Sequence, residues 1–152
     1  MDLRVKLIED VCWMASSDSG HGIVLDGSPD IGGKNLGMRP MELVLAGLGG
    51  CTAMDVISIL RKQRQSVEDC VINVSAQRAE SIPKVFTHIT LSYRVVGYDL
   101  NVSGVKRAVE LSAKTYCSVS KMLSATADIT YRIEIVDRNL PEPITILEVR
   151  DD

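Results

Sequence analysis

Pro40-Met41-Glu42-Leu43-Val44-Leu45-Ala46-Gly47-Leu48-Gly49-Gly50-Cys51-Thr52 is the stretch on which the reading of this 152-residue chain turns. Pro40 suits a helix start, because its missing N–H has no partner there in any case. From it the chain runs to about Gln65 with few breakers other than glycine, so the pattern predicts one long helix over residues 40–65. Its first half, from Leu43 to Cys51, is apolar on all sides. A helix like that is buried all round, which a small domain manages most easily by packing it between its own sheet and a second subunit. Gly47, Gly49 and Gly50 each cost about 1 kcal/mol relative to alanine in a helix interior. Either close helix–helix packing offsets this, or the small residues leave room for a substrate beside Cys51, and the two readings are compatible.

Working outward, three segments alternate with the period of two that marks strands with one wet and one dry face. Cys70, Ile72, Val74 and Ala76 oppose Asp69, Asn73, Ser75 and Gln77; Ile89, Leu91, Tyr93 and Val95 oppose His88, Thr90, Ser92 and Arg94; Ile129, Tyr131, Ile133 and Ile135 oppose Asp128, Thr130, Arg132 and Glu134. They are expected to be half-exposed antiparallel strands, the first two joined by a turn containing Pro83. Ahead of the helix, residues 4–15 and 23–25 read as shorter strands, broken by a Ser/Asp/Gly cluster. A second helix is expected over residues 103–116, with Val105, Ala108, Val109 and Ser112 inward, and a short turn over 117–123. Asn101-Val102-Ser103 reads as that helix's start. Strands and helices that do not alternate strictly argue for an α+β fold, and residues 1–152 are taken as a single domain.

Composition narrows the function. The formal net charge is −3, with 17 Lys+Arg against 20 Asp+Glu, which argues against a phosphate-backbone binder. Arg61-Lys62-Gln63-Arg64 is read as a helix end, where cations complement the macrodipole. The longest uncharged stretch in the middle of the chain, residues 43–54, is far shorter than the roughly 20 residues needed to span a bilayer. Nucleic acid and membrane are therefore not expected as partners. With no apolar run of signal-peptide length near Met1, the expected location is cytoplasmic, with reduced thiols.

Several motifs are excluded. Gly47-Leu48-Gly49-Gly50 lacks the Gly-x-Gly-x-x-Gly spacing and lies inside a helix, and Asp18-Ser19-Gly20-His21-Gly22 is no nucleophile elbow. His21 and His88 do not form a metal motif by spacing, and no cofactor or metal is called for. Cysteines are left. Cys12 and Cys70 read as core filler. Cys51 lies among glycines in the long helix, and Cys117, in Tyr116-Cys117-Ser118-Val119-Ser120, is placed to cap a new helical turn whose N-terminal field favours thiolate.

Residues 40–52, followed by Tyr116-Cys117-Ser118-Val119-Ser120-Lys121-Met122-Leu123, resemble the paired cysteine motifs of the OsmC/Ohr family, the osmotically inducible and organic hydroperoxide resistance proteins. Met54-Asp55-Val56-Ile57-Ser58-Ile59-Leu60 and the Cys-Ser-Val-Ser form look most like its YhfA-type branch. The resemblance implies antiparallel sheets wrapped around a long central cysteine-bearing helix, in an intertwined homodimer with its sites at the interface. It also implies that Cys51 attacks a small organic hydroperoxide as thiolate and becomes a sulfenic acid, that Cys117 resolves it as a disulfide, and that a dithiol reductant restores the pair. Such a cycle stops at a reversible stage only where a second thiol is close.

The chain departs from the family pattern at the positions that activate the cysteine. Family peroxidases begin this helix Asn-Pro-Glu, the glutamate holding an arginine against the sulfur; the matching residues are Arg39, Pro40 and Met41. Glu42 is no replacement, because nine residues at about 100° each place it roughly 180° around the helix from Cys51. The N-terminal turn that would supply the arginine, Ser17-Asp18-Ser19-Gly20-His21, contains none. Cys51 is too deep in its helix for the dipole to act, so the fold must bring a cation, with Lys121, Arg39 and His21 as candidates. Two readings follow: a thiol peroxidase working through Cys51 and Cys117 in oxidative stress defence, or a catalytically silent relative that binds a small apolar or thiol-reactive ligand at the dimer interface.

Overall fold

The computed structural model describes residues 1–150. Its contacts gather into two compact units, residues 1–46 and residues 47 onward, with the boundary inside the long helix.

The first unit is built on a three-stranded antiparallel sheet, β1 (Leu3–Glu9), β2 (Cys12–Ser17) and β3 (Gly22–Leu25), in that order. A single strand over residues 4–15 is thus not what forms. Asp10 takes the left-handed conformation (φ 50°) and turns the chain, which a short polar residue tolerates better than most. The register places Leu7 beside Trp13 and Trp13 beside Leu25, and Val5 beside Ala15 and Ala15 beside Ile23. One face of the sheet is therefore apolar, and Leu3, Val5, Leu7, Trp13 and Ile23 on it are exposed. The loop after β3 is organised by buried Asp26, whose carboxylate accepts N–H bonds from Gly27, Lys34 and Leu36 at 2.8–2.9 Å.

The long helix α1 spans Pro40–Lys62. Glu42 accepts a hydrogen bond from the Arg39 backbone N–H at 2.8 Å, the reach-back half of a capping box. The helix ends three residues short of the expected Gln65: Arg61 and Lys62 close it, and Arg64 turns the chain with φ 58°. The all-round burial expected of its first half is not found. Only Leu48, Thr52, Val56 and Leu60, a stripe one residue wide at i, i+4 spacing, are fully buried. By length and composition α1 is apolar enough to cross a membrane, because a window of 18 residues reaches a mean hydropathy of 1.9 despite Asp55.

The second unit carries a four-stranded sheet in the order β4 (Ser66–Arg78), β5 (Phe86–Tyr98), β6 (Asp128–Asp137), β7 (Ile144–Arg150). The alternating faces are as read. Ile89, Leu91, Tyr93 and Val95 lie beside Ile129, Tyr131, Ile133 and Ile135, all eight fully buried. The register corrects the direction: β5 and β6 run parallel, whereas β4–β5 and β6–β7 are antiparallel. The reason is the connection, since α2 (Val102–Leu111), a wider π-type turn (Ser112–Tyr116) and α3 (Ser118–Leu123) form the crossover that a parallel pair requires. Strand β7 was not anticipated. Asn101 caps α2 by accepting from Gly104 N–H at 2.8 Å, and Val105, Ala108, Val109 and Ser112 form its buried stripe, as expected.

At the end of β6, Asp137 accepts N–H bonds from Leu100 (2.7 Å), Asn139 (3.0 Å) and Asp99 (3.2 Å), tying the β5–α2 corner to the sheet. These bonds, that from Asn139 foremost, outweigh burial and hold its carboxyl below the usual range. A depressed folded-state pKa stabilises above the unfolded value of about 3.9 and loses that contribution as pH falls through the folded value. Asp137→Asn is therefore expected to be less stable than wild type at neutral pH, with the gap closing in acid. Urea titrations from pH 7 down to pH 3 check this, and a gap independent of pH would show that the charge plays no part.

Candidate active site

Cys51 sits on α1 with Asp55 one turn further along, and four-residue spacing stacks their side chains on one face. Cys117 comes from the other end of the sequence. The crossover brings it back as the N-cap of α3, where its Sγ accepts the Ser120 backbone N–H at 3.4 Å. The two sulfurs and an oxygen of Asp55 all lie within 4.8 Å of one another, with Cys51 and Asp55 half-buried and Cys117 buried. Sixty-six positions of sequence are thereby closed to one side-chain contact.

A hydroxyl chain runs beneath the cluster. Asp55 Oδ2 accepts from Ser112 Oγ at 3.0 Å, Ser112 Oγ lies 2.8 Å from Thr52 Oγ1, and Thr52 Oγ1 lies 2.6 Å from the Tyr93 hydroxyl. Ser112 gives its only hydroxyl proton to the carboxylate, so it must accept from Thr52, which in turn must accept from Tyr93. The chain thus has one direction, ending on Asp55. Burial raises the Tyr93 pKa, so the phenol keeps the proton it donates.

The electrostatics differ from the expectation at Cys117. Burial pushes its thiol up to about 11; the N–H groups of Ser120 and Val119 pull the other way, and neighbouring Cys51 adds to the rise. Desolvation outweighs the helix-end field, so Cys117 holds its proton at neutral pH. Of the three cations considered for Cys51, Arg39 spends its guanidinium on Gly37 O (3.1 Å) and Asn35 Oδ1 (3.0 Å). His21 Nδ1 pairs with Ser19 Oγ at 3.2 Å, and Lys121 is exposed. Cys117 and Asp55 are brought beside the Cys51 sulfur, and neither is cationic. Asp55 was missed as a site residue although Cys51-x-x-x-Asp55 is the spacing that stacks side chains on a helix. Cys12 is buried, as a core residue is, whereas Cys70 is half-buried on β4 and lies outside the buried core.

The helix glycines are now placed. A Cβ at Gly49 would meet Val74 Cγ2 at 3.3 Å, whereas one at Gly47 or Gly50 would meet nothing within 4 Å. Among the described residues, nothing stands where a side chain at those two positions would begin.

Comparison with known proteins follows the same lines. A family model described as OsmC-like protein matches residues 32–132, which takes in both cysteines of the cluster. Protein YhfA of Escherichia coli strain K12 is 46% identical over 136 residues, covering 90% of this chain and 98% of its own. Among solved structures, an OsmC-like protein from Mycoplasma pneumoniae superposes with a TM-score of 0.76 at 20% identity, covering 89% of this chain and 96% of its own. An organic hydroperoxide resistance protein OsmC from Legionella pneumophila does so with 0.62 at 17% identity, covering 90% and 97%. At those identities the two structures bear on the fold, which is the α+β arrangement seen here. With a family match over two thirds of its length and a relative nearly half identical over nine tenths of it, this chain belongs to the OsmC-like family.

Proposed function

We propose that this chain, a single OsmC-like domain, is a cytoplasmic thiol-dependent peroxidase that reduces small organic hydroperoxides in oxidative stress defence, with Cys51 as nucleophile and Cys117 as resolving thiol. The convergence of the two sulfurs carries the reading. Cys51 as thiolate attacks the terminal peroxide oxygen; the O–O bond breaks, the alcohol leaves with a proton, and Cys51 becomes a sulfenic acid. The Cys117 thiol then displaces water from that sulfur, forming the disulfide, and an external dithiol takes the oxidation away. The name of the Legionella relative supports the substrate class.

One observation favours the alternative, a silent protein that binds a small apolar or thiol-reactive ligand: the groups seen beside the Cys51 sulfur are a thiol and a carboxylate, and neither is an activating cation. Counting free thiols on the reduced protein before and after one equivalent of an organic hydroperoxide separates the two. Rapid loss of two thiols, mapped by mass spectrometry to a Cys51–Cys117 disulfide, is the expected result. Four thiols left intact would sink the peroxidase.

The assembly we propose is a homodimer that covers α1, read as a core helix rather than a membrane span, and the apolar face of the β1–β2–β3 sheet. Both surfaces are too apolar to stay in water, and Gly47 and Gly50 leave α1 open to close approach by a second copy.

A further inference from the structure

Cys51, Asp55 and Cys117 offer two sulfurs and a carboxylate oxygen converging on one point. That is the donor chemistry of a metal centre. A Zn2+ ion bonds thiolate at about 2.3 Å and carboxylate at about 2.0–2.2 Å, which places two sulfurs on one tetrahedral ion roughly 3.8 Å apart. The three atoms already lie within 4.8 Å of one another, so small side-chain rotations close the gap.

The surroundings favour a cation. Among the described residues no lysine or arginine forms an ion pair with the Asp55 carboxylate. Ser112 holds one oxygen of Asp55 and fixes the plane of the carboxylate, as outer partners of metal ligands do. Thr52 and Tyr93 fix Ser112 in turn. A hollow of about 320 Å³ lined by Asp55, Ser58, Ile59, Lys62, Leu111 and Tyr116 gives the carboxylate side an opening to solvent.

We propose that Cys51, Asp55 and Cys117 form a three-ligand site for a thiophilic divalent ion, Zn2+ by donor type, with the fourth position open to water. Two sulfurs exclude Mg2+ and Ca2+, which take oxygen ligands. Binding exchanges two S–H protons for the ion, releases both, and moves no electron. It therefore weakens as the pH falls. The site needs the three donors and not the peroxide cycle, so it does not rest on the peroxidase reading. Where both hold, the ion occupies the thiols that the cycle uses and shuts it off.

The test adds Co2+, and then Zn2+, to the full-length protein after reduction and chelator treatment. One Co2+ per chain is expected, with thiolate-to-metal charge transfer in the near ultraviolet and the strong visible bands of a tetrahedral site. Zn2+ is expected to displace it and to protect two thiols from alkylation. Cys51→Ser and Cys117→Ser should each abolish the charge-transfer band. Asp55→Asn, with thermal unfolding checked against wild type, should weaken binding at least tenfold while leaving both thiols titratable. Absence of charge transfer at stoichiometric Co2+ on wild type overturns the proposal, as does a band that survives Cys51→Ser. The peroxide thiol count on the metal-free protein is a separate measurement, so either reading can fail without the other.

Discussion

Cys51→Ser is expected to abolish hydroperoxide consumption, a loss on the order of a thousandfold or more, as removal of a nucleophile brings in other enzymes. A serine hydroxyl at the same place has neither the acidity nor the soft, polarisable sulfur that attacks a peroxide oxygen. Cys117→Ser should behave differently. The first equivalent of hydroperoxide still oxidises Cys51, because Cys117 is held protonated by burial and takes no part in the attack. With no second thiol in reach, the sulfenic acid has no internal exit. Repeated peroxide should then drive Cys51 to sulfinic acid, seen as two added oxygens on that peptide, and turnover should stop after one cycle. Equal consumption by Cys51→Ser and wild type would show the chemistry to lie elsewhere. A Cys117→Ser enzyme that cycles normally would remove Cys117 from the mechanism.

Gly47→Leu is expected to convert a dimer into a monomer. Inside the chain the change is favourable, because a Cβ there meets no atom within 4 Å and leucine exceeds glycine in helix propensity by roughly 0.5–1 kcal/mol. Glycine there carries a local cost that no contact among the described residues offsets. In the proposed dimer, close approach of a second α1 supplies the offset, and a leucine side chain at the crossing would force the two backbones apart and lose the contacts between them. Light scattering should read a dimer for wild type, little change for Gly47→Ala, and a monomer with exposed apolar surface for Gly47→Leu. A wild-type chain that is monomeric at micromolar concentration sinks this reading. So does a Gly47→Leu variant that dimerises as tightly.

Much of the fold was legible because its signals are local. Pro40 marks the start of α1, Asn101 caps α2, and the alternation in residues 70–76, 89–95 and 129–135 names the buried side of each strand, since one-sided burial imposes period two. The turn at Asp10 and strand β7 were not legible. A single residue in the left-handed region carries little signal, and the β7 segment lies beyond a loop that breaks the pattern. The parallel pairing of β5 with β6 was also out of reach, because alternation reports which face is buried and is indifferent to the direction of the neighbouring strand.

The site divides in the same way. Sequence alone determined that Cys51 stands in a glycine-lined apolar helix and Cys117 at a helix start, and the two motifs together carried the family resemblance. Only the tertiary structure decided that the sulfurs meet, that Asp55 joins them, and that Cys117 is held protonated. Proximity across sixty-six positions depends on how the β4–β5 hairpin and the α2–α3 crossover return the chain to α1. A thiol's ionisation depends on the water and charges around it, and these are set by packing between segments whose meeting no local pattern records.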